Sequence, residues 1–118
     1  PIACAAALAS LELLDDHCAA RRRDIEACHR AAGARLASVP GIENVRVLGT
    51  VIALDLASPR GGYLDDTGPA LRQFALERDV LLRPLGNTVY VRLPDGAGAD
   101  DLQAAYDVIA EFAEGRAR

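Results

Sequence analysis

The segment LLRPLGNTVYV, residues 81–91, places a single arginine in an apolar run. Arg83 follows two leucines and is followed at once by the turn sequence Pro-Leu-Gly-Asn. A buried or half-buried cation costs free energy unless an anion meets it, so the segment predicts an acidic partner for Arg83. From these residues alone, an internal ion pair with Asp95 or with an acid near the C-terminus is the better interpretation, because structural ion pairs outnumber substrate contacts.

Cysteines and histidines are the other residues that could do chemistry. Cys4, Cys18 and Cys28 form an odd set without Cys-X-X-Cys spacing, which argues against a disulfide framework and a zinc knuckle. A thiol or metal site built from Cys18, Cys28, His17 and His29 is a weaker alternative, since nothing directs the four side chains to one point. We therefore expect no metal site, helix cysteines that are buried or half-exposed, and histidines that face solvent.

The composition limits the chemistry that this chain can do alone. All thirteen basic residues are arginine, and the chain contains no lysine. Formation of a Schiff base, which needs a lysine amine, would therefore require residues outside these 118. The net charge of −4 argues against nucleic-acid or membrane-surface partners, and no apolar run approaches a membrane span. We expect a cytoplasmic protein.

The opening sequence PIACAAALASLELL lacks a methionine and already has the composition of a helix. This pattern predicts a piece of a longer chain, with processing of a mature protein as the alternative. Residues 2–15 are predicted to form the first helix because alanine and leucine are strong helix formers. A second helix is predicted over residues 17–38, with Ile25, Cys28, Ala32 and Leu36 at helical spacing.

The middle of the chain reads as strands around a helix. NVRVLG and TVIALDL meet at Gly49, which predicts two strands joined by a tight bend. The next helix lies in LDDTGPALRQFALERD, where Asp66 or Thr67 can cap it and Leu71, Phe74 and Ala75 form the buried stripe. VLLRP and TVYVRLP are predicted as two further strands on either side of the turn at residues 84–87.

A last helix is predicted to begin near Asp100, with Leu102, Tyr106, Ile109 and Phe112 on its buried side. Helices combined with hairpin-connected strands indicate a two-layer α+β domain, in which helices cover a small, mostly antiparallel sheet.

Three stretches resemble one enzyme family. PIACAAALASLELL is similar to the helix after the phosphate-binding segment of class III pyridoxal-phosphate-dependent aminotransferases, and VRVLGTVIALDL is similar to the paired strands that open their small domain. FALERDVLLRPLGNTVYV resembles the biotin-pathway branch of that class, the adenosylmethionine-8-amino-7-oxononanoate aminotransferases. Together these stretches span nearly the whole chain.

The resemblance implies an architecture. It implies the two-layer small domain of a fold-type-I transferase, with residues 1–38 as a helical connection from a large domain absent from this chain and residues 39–118 as the C-terminal α+β domain. The absent domain would hold pyridoxal 5'-phosphate and its lysine, so this chain would have no catalytic residue and no turnover alone. The complete enzyme would be a homodimer.

The resemblance also implies two substrate-binding residues. Arg83 would bind the carboxylate of 8-amino-7-oxononanoate, which a planar guanidinium can hold through two parallel hydrogen bonds. Tyr90 would line the same pocket, with a core tyrosine as the alternative. Arg46 could also reach a carboxylate, although an outward-facing strand arginine explains it better.

The chain departs from the family after Tyr90. Residues 91–95 read Val-Arg-Leu-Pro-Asp, where the family continues with a short hydrophobic step and Pro-Pro-Tyr. Two alternatives therefore stay open. One is a class III aminotransferase with another keto acid or amine substrate, and the other is a non-catalytic α+β binding module derived from such a domain.

Overall fold

The computed structural model of the protein describes residues 1–14, 16–92 and 98–116, with the backbone alone at positions 16 and 17. Four helices and three strands follow one another along these residues. They are α1 (Ile2–Glu12), α2 (Asp16–Leu36), β1 (Ile42–Leu48), β2 (Val51–Leu56), α3 (Thr67–Leu76), β3 (Thr88–Val91) and α4 (Ala99–Arg116). The predicted α+β class is confirmed.

The sheet is antiparallel with the strand order β1-β2-β3. Alternation along β2 directs Ile52, Leu54 and Leu56 into the core, and Val89 and Val91 of β3 join them. Helix α2 packs on β1 and β2, and α4 packs on α2 and α3. The opposite face of the sheet carries the polar residues and Tyr90. The helices therefore cover one face of the sheet, and the domain has two layers.

The core side of α4 agrees with its predicted stripe. Leu102, Tyr106, Ile109 and Phe112 are all buried. The bend between β1 and β2 also lies where it was predicted, with Gly49 at φ +54°. The register of the two strands contains an irregularity between Glu43 and Arg46, next to Asn44 at φ +50°.

The predicted strand VLLRP is wrong. Residues 80–84 form no strand, and the expected hairpin is reduced to an isolated bridge between Leu85 and Thr88. Two of the five residues cannot donate to a ladder. The N–H of Val80 bonds to the carbonyl of Ala75 at the end of α3, and Pro84 has no N–H.

The start of α3 is held by an aspartate that the sequence pattern did not select. Asp66 occupies the cap position without a side-chain hydrogen bond, and the carboxylate of Asp65 accepts the N–H of Thr67 at 2.8 Å instead. Asp65 is only 5% exposed and also accepts a hydrogen bond from the hydroxyl of Ser58. Hydrogen bonds from Ser58 and Thr67 lower the pKa of Asp65 to about 2, so this buried carboxylate is ionised at neutral pH.

Helix α1 differs from the other helices because it buries no residue. Its large apolar side chains, Ile2, Leu8 and Leu11, are exposed. No described helix has the length and hydropathy needed to cross a membrane. The division of the chain at residue 38 stays a prediction.

The prediction that His29 faces solvent is wrong, since its side chain is completely buried. Its Nε2 lies 3.0 Å from the carbonyl oxygen of Thr50, which can only accept, so Nε2 carries the proton. Nδ1 then accepts the hydroxyl proton of Tyr106 across 2.6 Å. Burial lowers the pKa of His29, against the opposing effect of the Thr50 hydrogen bond, and burial raises the pKa of Tyr106 to about 12. Both side chains are therefore neutral and tie α2, α4 and the β1–β2 bend together.

Replacing Tyr106 with phenylalanine should destabilise the protein by about 1–3 kcal/mol, because the buried Nδ1 of His29 loses the hydroxyl that donates to it. Tyr63→Phe is the matched control, since Tyr63 is 76% exposed and should change the free energy of unfolding by less than about 0.5 kcal/mol. Urea unfolding measures both. An equal change in the free energy of unfolding for the two variants would show that the hydrogen bond from Tyr106 to His29 does not stabilise the fold.

Candidate substrate-binding cleft

A surface cleft of about 550 Å³ contains both residues that were predicted to bind substrate. Arg83 and Tyr90 line it together. One wall is the chain that leaves α3, residues 79–83, and the other walls come from the end of β3 and the first turns of α4. The structure therefore brings together two residues that are seven positions apart in the sequence.

Arg83 is exposed and forms no hydrogen bond or ion pair with any residue in the described ranges. Asp95, the internal partner considered from the sequence, lies outside the described residues. The described acids near the C-terminus do not bind Arg83, and Glu111 instead holds Arg78 at 2.8 Å. The guanidinium of Arg83 is therefore open to an anion from outside the described residues.

Arg46 has the opposite environment. Its guanidinium meets the two carboxylate oxygens of Asp55 at 3.3 and 3.2 Å, on the open face of the sheet. Burial raises the pKa of Asp55, but hydrogen bonds from Arg46, Thr88 and Asn44 outweigh it and leave that pKa below its ordinary value. Arg46 thus faces outward as the pattern predicted, and an internal acid already occupies it.

Tyr90 lies on β3, opposite Ala53 of β2, with its neighbours Val89 and Val91 turned into the core. Its side chain is 38% exposed, which removes the alternative of a core tyrosine. Its hydroxyl has no hydrogen-bond partner within the described part of the chain. The ring can therefore pack against a ligand in the cleft while the hydroxyl donates or accepts.

The turn between Arg83 and Tyr90 is held by Asn87. Its side-chain oxygen accepts the N–H of Gly62 at 2.8 Å, and its side-chain nitrogen donates to the carbonyl of Leu56 at 3.0 Å. These bonds attach the turn to the end of β2 and to the loop before α3. The sequence assigned Gly86 to the turn but missed the role of Asn87, because its partners are 25 and 31 residues away.

Three charged residues of the cleft were not selected as site residues from the sequence. They are Asp79, Arg92 and Asp101. A signal existed for Arg92, since residues two apart on a strand share a face and Arg92 follows Tyr90 by two. Nothing local relates Asp79 or Asp101 to this cleft, because it forms only when α4 packs beside the segment after α3.

No group of three or more candidate metal ligands occurs among the described residues. The thiols of Cys4 and Cys28 are exposed, and the half-buried thiol of Cys18 donates to the carbonyl of Leu13 at 3.2 Å. The side chain of His17 lies outside the described part, and His29 is committed to Thr50 and Tyr106.

No family model matches the chain. The chain is 44% identical over 112 residues to adenosylmethionine-8-amino-7-oxononanoate aminotransferase from Synechococcus elongatus, covering 95% of this chain and 26% of that protein. Among solved structures, it matches the enzyme of the same name from Methanocaldococcus jannaschii with a TM-score of 0.82 at 19% identity, over 95% of this chain and 27% of that one.

A Vibrio fluvialis aminotransferase in its PMP-bound form matches with a TM-score of 0.72 at 19% identity, over 89% of this chain and 24% of that one. The chain thus spans about a quarter of the length of the relatives that it matches. The two solved structures show the shared fold, and the Synechococcus protein carries the sequence likeness. The predicted family resemblance is therefore confirmed, and the chain is a relative of one segment of the adenosylmethionine-8-amino-7-oxononanoate aminotransferases.

Proposed function

We propose that this chain is the C-terminal small domain of a pyridoxal-phosphate-dependent aminotransferase. The complete enzyme transfers an amino group to 8-amino-7-oxononanoate and forms 7,8-diaminononanoate in biotin biosynthesis. The observation that carries the proposal is the guanidinium of Arg83, which has no partner among the described residues and lies beside Tyr90 in one cleft, in a chain that is 44% identical to an enzyme of that name.

Arg83 would bind the substrate carboxylate. A guanidinium donates two parallel hydrogen bonds to a carboxylate, so it sets the direction of the substrate as well as its affinity. With the acid end held at Arg83, the chain of the amino-keto acid passes Tyr90 in the cleft, and its ketone is presented at a defined distance. Tyr90 would pack against the methylene chain and exclude water from it.

The cofactor would be held outside this chain. No lysine is present in the sequence, so the amine that binds pyridoxal phosphate covalently cannot come from these residues. When bound, the cofactor supplies the electron sink for amino-group transfer. The small domain would contribute substrate orientation, in a cytoplasmic homodimer with small-molecule substrates and without nucleic-acid or membrane partners.

The proposal is tested by supplying the full-length protein with pyridoxal phosphate, adenosylmethionine and 8-amino-7-oxononanoate. Mass spectrometry should detect 7,8-diaminononanoate, and the 118-residue chain alone should form none. The assay is repeated with lysine as the amino donor. This distinguishes an enzyme that does not use adenosylmethionine from one that does not transfer an amino group to 8-amino-7-oxononanoate. Absence of product with both donors would overturn the assigned substrate, and turnover by the isolated chain would overturn its role as an accessory domain.

A further inference from the structure

Arg92 is a second arginine of the cleft. It follows β3 directly, is exposed, and lines the same cleft as Arg83 and Tyr90. Within the described ranges it forms no ion pair or hydrogen bond. Four other arginines do hold carboxylates, namely Arg30, Arg35, Arg46 and Arg78. Among the described residues, two arginines of one cleft are thus left without an anionic partner.

The cleft lining also contains acidic residues, whose negative charge a second arginine can offset. Asp79 and Asp101 also line the cleft, and Asp101 accepts the N–H of Gly98 at 2.7 Å. The formal charges of the two arginines and the two aspartates sum to zero. Without Arg92 the described lining would carry a formal charge of −1, on a chain whose net charge is −4. An anionic ligand approaching Arg83 would then meet a repulsive potential.

We infer that Arg92 is a positioning residue of electrostatic kind, which offsets Asp79 and Asp101 and so lets Arg83 capture a carboxylate ligand. This inference rests on the proposed function and adds to it. Arg83 binds the carboxylate through directed hydrogen bonds, whereas Arg92 acts through its charge across water. The two roles therefore depend on different properties of the side chain. The role of Arg83 depends on the planar guanidinium, and the role of Arg92 depends only on a positive charge.

The salt dependence of ligand binding distinguishes the long-range charge effect of Arg92 from the direct contact made by Arg83. The screening length falls from about 30 Å at 0.01 M ionic strength to about 3 Å at 1 M, so the influence of an exposed charge at a distance fades as salt is added. A direct contact between a guanidinium and a carboxylate is screened much less. The effect of Arg92 should therefore depend on salt, and most of the effect of Arg83 should not.

The test measures the KM for 8-amino-7-oxononanoate in the full-length enzyme at about 0.01 M and about 0.5 M ionic strength. Arg92→Gln should raise that KM about 3- to 10-fold at low salt and less than about 2-fold at high salt, with kcat unchanged. Arg92→Lys keeps the charge and should behave like the unchanged protein. Arg72→Gln is the matched control, because Arg72 is exposed on α3 and lies outside the cleft lining.

Three results would overturn the inference: an unchanged KM in Arg92→Gln at low salt, an equal rise in Arg92→Lys, or a rise that persists at high salt. Arg83→Ala, measured in parallel, separates this inference from the proposed function. If Arg83→Ala raises the KM and Arg92→Gln does not, the inference about Arg92 fails alone. If neither variant changes the KM, the proposed carboxylate site fails as well.

Discussion

Replacing Arg83 with alanine in the full-length protein should raise the KM for 8-amino-7-oxononanoate about 100-fold, because a charge-assisted pair of hydrogen bonds to the carboxylate is lost. Arg83 has no partner in the described ranges that the change would leave unpaired, so folding stability should change little. Steady-state kinetics measures the KM, and the amino-donor half-reaction, followed separately, should keep its rate.

Lysine at position 83 refines this result. Arg83→Lys keeps the positive charge but loses the two-pronged geometry, so it should recover only part of the lost affinity. Arg46→Ala is a matched control, since Arg46 is an arginine on the same domain whose guanidinium already binds Asp55. A KM for Arg83→Ala within about twofold of the unchanged enzyme would show that the carboxylate binds elsewhere.

The second large effect should come from Gly86→Ala, which we expect to destabilise the protein by at least about 3 kcal/mol. Gly86 has φ +61°, a left-handed conformation that costs other residues energy. A methyl group there would also overlap the carbonyl oxygen of Gly62 and lie 2.7 Å from the Cα of Tyr63. The loop after β2 would have to move away, and the hydrogen bond from Gly62 to Asn87 would break.

Gly49→Ala separates the two contributions. Gly49 has a similar φ, +54°, but a methyl group there would meet no atom within 4 Å. It should therefore cost only the conformational term, roughly 1–2 kcal/mol. Urea unfolding gives both free energies, and equal losses at the two positions would show that the packing of the Gly86 turn against residues 62–63 contributes nothing.

The elements that the sequence predicted well are those with a strong local period. The core stripe of α4 recurs at helical spacing, so Leu102, Ile109 and Phe112 could be assigned to the core without a structure. Residues 80–84 show the limit of this reasoning. Their composition favours a strand, but Val80 is used by the end of α3 and Pro84 cannot donate.

The functional and buried polar residues also differ in how well the sequence predicted their environment. Arg83 could be selected because a lone arginine in an apolar run is unusual and because the segment resembles a family. His29 could not be placed, since a histidine on a helix is equally compatible with solvent and with a buried hydrogen bond. Its burial depends on Tyr106, which is 77 residues away.

The sequence by itself determined the class of the fold, the missing lysine and the arginine that an acid could bind, because these follow from composition, local period and one short segment. Only the tertiary structure decided that Arg83 has no partner in the described residues while Arg46 has one, and that Arg83, Tyr90 and Arg92 share a cleft with two aspartates. The physical reason is that pairing and cleft formation depend on contacts between segments far apart in the chain. No local pattern of residues encodes the distances between such segments.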